Sequence, residues 1–225
     1  GNCIRNVTAD PFAGVVADEI EDPRVYCEII RQWSTLHPEF SFLPRKFKIA
    51  VTGSPVDRAA TAVHDIGLRL CRDAAGEVGF EVLVGGGQGR TPMIAQTIRE
   101  FLPKADLLSY LEAILRVYNQ LGRRDNLYKA RIKILVHETG IERFTELVER
   151  EWQEIRGGEL TLPAVEIDRI HTYFAPPVYR KIPKPDTSGL VARMREVPAF
   201  ACWVETNVHD HKVPGYAIVV VSLKP

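Results

Sequence analysis

Residues 46 to 53, "KFKIAVTG", alternate charged and apolar side chains and stop at a glycine. A period of two sends Lys46 and Lys48 to one face and Phe47, Ile49 and Val51 to the other, the pattern of a half-buried β-strand. After it, Ser54-Pro55 opens a stretch in which Val56, Ala60, Val63, Gly67 and Leu70 share a side, which predicts a helix. "GFEVLVGGG", residues 79 to 87, predicts a second strand that runs into a glycine loop. Strand, helix, strand is a βαβ pattern, and ferredoxin-like α+β units produce it as readily as a parallel sheet does. Upstream, "DPRVYCEIIRQWSTLH" has Asp22 as N-cap, Pro23 at the first helical position, and Val25, Ile29, Trp33 and Leu36 on one face.

Residues 105 to 157 predict helix almost throughout. Leu107, Leu111, Ile114, Leu115 and Tyr118 form a stripe that ends at Gly122. In "RRDNLYKARIKILVHETG" the β-branched residues allow a strand, but the spacing of Leu127, Ala130 and Ile134 favours a helix. "TGIERF" offers Thr139 and Glu142 as a capping box before Phe144, Leu147 and Val148. From Gly157 the composition changes. The proline-rich "APPVYRKIPKPDTSG", residues 175 to 189, reads as a linker or extended surface segment. "FACWVETNV" and "YAIVVVSLK", joined by "HDHKVPG", read as a hairpin that begins a second domain.

The chain has 225 residues, 45% of them hydrophobic, and its 29 Lys+Arg balance 29 Asp+Glu. That is a globular composition, without the roughly 20-residue apolar run of a membrane span. Zero formal charge argues against a broad basic face for nucleic acid or membrane, so any anion site must be local. Cys3, Cys27, Cys71 and Cys202 lack metal-ligand spacing and no signal peptide precedes them, which predicts reduced thiols in a cytoplasmic protein. His64, His137, His209 and His211 show no ligand spacing either, and solvated or core roles are expected for them.

The local charge lies in "FLPRKFK", residues 42 to 48, with three cations in seven residues. Two ammonium groups on one strand face repel each other, and an anion between them relieves the repulsion and accepts their hydrogen bonds. Lysines that protect a solvated edge strand are the plainer reading. The run "LVGGGQGR" lets backbone approach a flat or anionic ligand, but it lacks P-loop or dinucleotide spacing. Arg124 and Arg131, seven apart, would share a helix face.

Taken in series, "GNCIRNVTADP", "LPRKFKIAVTG", "FEVLVGGGQGRTP" and "GRRDNLYKARIKILVHETG" resemble the sulfite and nitrite reductase hemoprotein family over about residues 1 to 155. The resemblance implies an α+β siroheme domain over residues 1–156, with residues 157–225 forming a linker and the start of a ferredoxin-like half-domain. It implies siroheme, an iron macrocycle bearing eight carboxylates, beside a 4Fe-4S cluster, and six-electron reduction of sulfite or nitrite with ferredoxin or a flavoprotein reductase as donor. Carried over, Arg5, Lys46 and Lys48 are the catalytic cations. Asn6, Arg45, Gly85, Gly86, Gly87, Gln88, Arg124 and Arg131 would hold the macrocycle.

The chain departs from the family pattern in its cysteines. The cluster signature C-x5-C followed by C-x3-C is absent, so this segment supplies no metal ligand, and no bound cofactor is expected in it alone. An internal fragment, inactive by itself, is the expectation, with exposed C-terminal strand edges that would pair in a homodimer. The other reading is an anion- or RNA-binding α+β module. An RNA-recognition sheet would carry aromatics on its cationic face, whereas Phe47 alternates to the opposite one.

Overall fold

Phe47 to Thr52 form a strand inside a five-stranded sheet. The computed structural model describes residues 2–183 and 186–223. The sheet runs in spatial order β1 (Ile4–Ala9), β2 (Phe47–Thr52), β3 (Ile66–Arg72), β4 (Val78–Val84) and β5 (Gln96–Pro103). β1, β2 and β3 are parallel, while β4 is antiparallel to both of its neighbours. Ile49 pairs with Ile66, Val51 with Leu68, Leu68 with Val82 and Leu70 with Phe80. One sheet face is therefore apolar across three strands, and these side chains are buried. The opposite face carries Lys48, Arg69 and Glu81.

Helix α1 (Pro23–Ser34) joins β1 to β2 and packs on both. It starts as its sequence dictates, with Pro23 at the first turn and the Asp22 carboxylate accepting the Arg24 N–H at 3.0 Å. Val25, Tyr26, Ile29 and Ile30 enter the core. Helix α2 (Leu107–Leu121) is apolar nearly all round and buries Tyr110, Leu111, Ile114, Leu115 and Tyr118. Next come α3 (Ile132–Thr139) and α4 (Ile141–Ile155), and α4 sets Phe144, Val148 and Trp152 against α2. The Trp152 indole N–H donates to Ser109 Oγ at 3.0 Å, so the largest core side chain is also satisfied.

Beyond Gly157, Leu162 and Ile170 are buried in this same core, and α5 (Ala164–Tyr173) packs on α1. Then follow α6 (Ser188–Glu196), α7 (Pro198–Asn207) and a short hairpin of β6 (Val208–Asp210) and β7 (Ala217–Val219). The segment after β6 ties to the loop after β1: Lys212 N–H donates to the Val15 carbonyl at 2.8 Å, and Lys212 Nζ lies 3.4 Å from Glu19.

Several local expectations give way here. Residues 54–70 are not a helix: a 3-10 turn at Thr61–Val63 leads directly into β3. Gly67 and Leu70 belong to that strand, whose buried Ile66, Leu68 and Leu70 repeat with a period of two. The turn is held by Asp57, whose carboxylate accepts the Thr61 N–H at 2.9 Å and the Thr61 hydroxyl at 2.8 Å. Residues 123–131 are loop, so Leu127 is exposed and Arg124 and Arg131 share no helix. Leu36 lies past the end of α1 at φ 62°.

Thr139 ends α3 rather than capping α4, because Gly140 at φ 83° turns the chain between them. Most of "FACWVETNV" is α7, and only residues 208–210 pair in the hairpin. β5 lies in a stretch for which the sequence suggested no element. Lys184 and Pro185 of the proline-rich segment, and Lys224 at the end of the hairpin reading, lie outside the described residues.

The thiols differ sharply in setting. Burial, with a smaller push from Asp22, raises the Cys27 thiol to about 12, while Cys202 is exposed on α7. Because the thiolate is the reacting form, Cys202 is expected to be alkylated first near pH 8 and Cys27 last. The raised value sets the sign of the alkaline effect: between pH 9 and about 12 the unfolded chain loses this proton before the folded one does, so stability falls as pH rises through that window. Mass spectrometry of a timed alkylation series checks the order, and early labelling of Cys27 would contradict it.

Candidate anion and cofactor site

Lys46 and Lys48 flank buried Phe47 at the start of β2, and both line one small cleft of about 200 Å³. Its other walls are Ala60, Val63, His64, Asp65, Gln88 and Arg131. A larger cavity of about 530 Å³ adjoins it and shares Lys46, Gln88 and Arg131. The larger cavity is lined by Arg45, Lys46, Arg90, Lys129, Arg131 and Lys133, with Leu127, Tyr128 and Ile134 supplying apolar surface. No carboxylate lies among its lining residues. Six cations around one concavity repel, and an anionic ligand offsets that cost.

Asp65 organises this charge from below. Its side chain is fully buried, accepts Arg131 Nε at 2.9 Å and Nη2 at 2.6 Å through one oxygen, and accepts the Lys48 backbone N–H at 2.9 Å through the other. Burial pushes its carboxyl up from the ordinary value, and the adjacent Arg131 guanidinium pulls it back. The result is a fixed strand end and a fixed guanidinium on either side of the cleft.

The glycine loop is shaped by close contacts. Gly85 has φ 84°, and a Cβ on Gly86 would stand 2.5 Å from the His64 carbonyl oxygen. Gly87 and Met93 exchange backbone hydrogen bonds at 2.9 Å, closing the loop that carries Gln88 to Pro92. Lys133, buried on α3, donates to the carbonyls of Gln88 at 3.1 Å and Thr91 at 2.5 Å and so fastens that loop to the cavity wall. Burial, then the nearby Arg131, lowers its ammonium from the ordinary lysine value.

Of the residues singled out from sequence, Arg45, Lys46, Lys48, Gln88 and Arg131 come together around the two cavities. Gly85, Gly86 and Gly87 are buried behind the loop rather than on its lining. Asn6 is the β1 partner of Lys48, and the register slips at Arg5, which is exposed on the same strand end. Arg124 lines neither cavity. It donates to the Phe42 carbonyl at 2.9 Å and to the Asn119 carbonyl at 3.0 Å, clamping the "FLPRKFK" segment onto the end of α2.

Asp65, His64, Lys133 and Tyr128 were not anticipated. Lys133 shares a motif with Arg131 and could have been found from it. Asp65 meets Arg131 across 66 positions of sequence and has no local signal.

The nitrite and sulphite reductase 4Fe-4S domain family matches residues 1–156. The chain belongs to this family. Sulfite reductase [ferredoxin] 1 of Mycolicibacterium paratuberculosis is 34% identical over 152 residues, which are 68% of this chain and 27% of that protein. Ferredoxin--nitrite reductase of Leptolyngbya laminosa is 34% identical over 154 residues, 66% of this chain and 30% of that protein. The solved structure of the Mycobacterium tuberculosis NirA protein superposes with TM-score 0.64 at 32% identity, over 68% of this chain and 28% of that one. Dissimilatory sulfite reductase I shares the fold at 11% identity, with TM-score 0.54 over 85% of this chain and 61% of that one. The α+β architecture is that of this reductase family, and the chain spans about a quarter of the length of the first of these curated relatives.

The family implies two prosthetic groups, and the residues present fit them unequally. Six cations with an exposed phenol at Tyr128 suit a flat polycarboxylate macrocycle. The cluster finds no such match: the four cysteines are spread over residue 3, α1, β3 and α7, and among the described residues no group of three or more His, Cys, Asp or Glu could hold a metal ion.

Proposed function

We propose that this segment forms the oxyanion cleft and one wall of the siroheme pocket of a reductase that converts sulfite or nitrite by six-electron reduction. The observation that carries the reading is the junction of a small cationic cleft with a larger cavity lined by cations and no carboxylate, sharing Lys46, Gln88 and Arg131. Arg45, Arg90, Lys129, Arg131 and Lys133 would meet the carboxylates of siroheme, which when bound supplies the iron that passes electrons to the substrate.

Lys48 and Lys46 would hold the oxyanion, stabilise the negative charge it gains and release protons as oxygen departs as water. Arg5, next to Asn6, the β1 partner of Lys48, lines neither cavity, and its long side chain would add a third cation to that set from the strand end. The names of the relatives point to reduced ferredoxin as donor. A cytoplasmic setting accords with the four cysteines, none of them in a disulfide. A division near residue 156, with Leu162 and Ile170 after it still packed against the first unit, and pairing of copies through the C-terminal strands belong to the same proposal.

The test compares arginine variants in a longer reductase that contains this segment. Arg131→Met, which removes a wall of both cavities, is expected to lower siroheme absorbance per protein severalfold and turnover by more than the lost siroheme accounts for. Arg124→Met is expected to loosen the Phe42 segment and lower the melting temperature while leaving more siroheme bound. Full siroheme occupancy in Arg131→Met would refute the pocket assignment.

A further inference from the structure

His64 sits on the wall of the small cleft with Lys46, Lys48, Asp65 and Arg131, a place its sequence neighbourhood gave no reason to expect. Its ring is held in one orientation. Nδ1 lies 2.8 Å from the Ala60 carbonyl oxygen, and because a carbonyl can only accept, Nδ1 carries the proton in that bond. Ala60 presents that carbonyl from a left-handed conformation, φ 56°, which a non-glycine residue adopts only when its surroundings hold it there. Asp57 braces the same turn through Thr61, and the His64 backbone carbonyl abuts Gly86 of the glycine loop. Both protonation states of the ring keep the Ala60 bond, so charge is gained or lost only at Nε2.

We propose that His64 is a further anion-binding residue of the cleft, taking up a proton at Nε2 as the oxyanion enters so that binding and protonation are linked. The inference rests on the anion-site reading above. The balance is simple: neutral imidazole, one proton from solvent and the anion give an imidazolium–anion pair, with no bond made or broken in the anion. The charged groups that line the cleft with the ring are Lys46, just before β2, and Lys48 on it, Arg131 at the N-cap of α3 and Asp65 just before β3. A bound anion favours the imidazolium over the neutral ring, so the anion and the proton each strengthen the binding of the other.

Sulfate is a suitable probe, because it remains a dianion across the range in which imidazoles titrate and is a tetrahedral oxyanion. Calorimetric titration of the full 225-residue chain, at constant ionic strength set with chloride, is expected to show sulfate affinity rising about three- to tenfold from about pH 8 to about pH 5.5. His64→Gln should bind with the pH 8 affinity at both values. In the nuclear magnetic resonance titration of wild-type protein, the His64 Cε1–H midpoint should move to higher pH when sulfate is added.

A wild-type affinity that does not change with pH, or the same change in His64→Gln, overturns the inference, as does a His64 midpoint that ignores sulfate. Lys48→Met separates this from the underlying reading. If it weakens sulfate binding at both pH values while His64→Gln behaves as wild type, the anion site stands and His64 has no part in it. If wild-type protein binds no sulfate at either pH, both fail.

Discussion

Lys48→Met, placed in a reductase polypeptide that carries this segment, is expected to leave siroheme bound and to lower turnover per siroheme about 100- to 1,000-fold. That is the cost of removing one charge-assisted donor, on the order of 2.7 to 4 kcal/mol, from a site where an oxyanion gains negative charge. The structure sharpens the expectation by separating the two lysines. Lys48 lines only the small cleft, whereas Lys46 lines both cavities. Lys46→Met should therefore lose siroheme as well as turnover, and the two variants should differ when absorbance per protein is plotted beside turnover per siroheme. Loss of siroheme from Lys48→Met with normal turnover by the remainder would place that side chain on the cofactor instead.

Asp65→Ala is the variant expected to cost most in stability, about 3 to 5 kcal/mol, because it removes the buried carboxylate that pairs with the Arg131 guanidinium and leaves that charge unpaired. The Arg131 side chain is only 18% exposed and that of Asp65 1%, so little solvent is at hand to replace the lost partner. The Lys48 backbone N–H also loses its acceptor. Denaturant unfolding of Asp65→Ala, of Arg131→Met and of the double variant gives the coupling directly, and the double variant should recover part of the loss. A cost below about 1 kcal/mol for Asp65→Ala would mean that the pair is too well hydrated to organise the cleft.

Asp65 also shows why the stability and the chemistry of this site are tied. A carboxylate set among cations lowers the net charge of the cleft, yet without it neither Arg131 nor the start of β2 is held in place. A fixed donor geometry counts for more at an anion site than one additional unit of charge, because donors already aimed at the ligand need not reorganise when it binds.

Features with a local cause are legible in the order of the amino acids. The alternation in "KFKIAVTG" specified a strand with lysines on one face, since a β-strand has no other way to bury Phe47, Ile49 and Val51 together. Asp22 and Pro23 specified where α1 begins, and the motif series specified the family. Tertiary structure alone decided what depended on distant partners. Residues 66 to 72 became a strand because β2 and β4 offered backbone hydrogen bonds on both sides and a core face for Ile66, Leu68 and Leu70.

Arg124 became a clamp and Arg131 a cavity wall, although both were read from the same motif, because the first meets the Phe42 carbonyl 82 residues away and the second meets Asp65. His64 entered the cleft for the same reason, since its position follows from a turn fixed by Asp57 and from packing against the glycine loop. Local periodicity carries information about which face of an element is apolar, and none about which charge waits across the sheet.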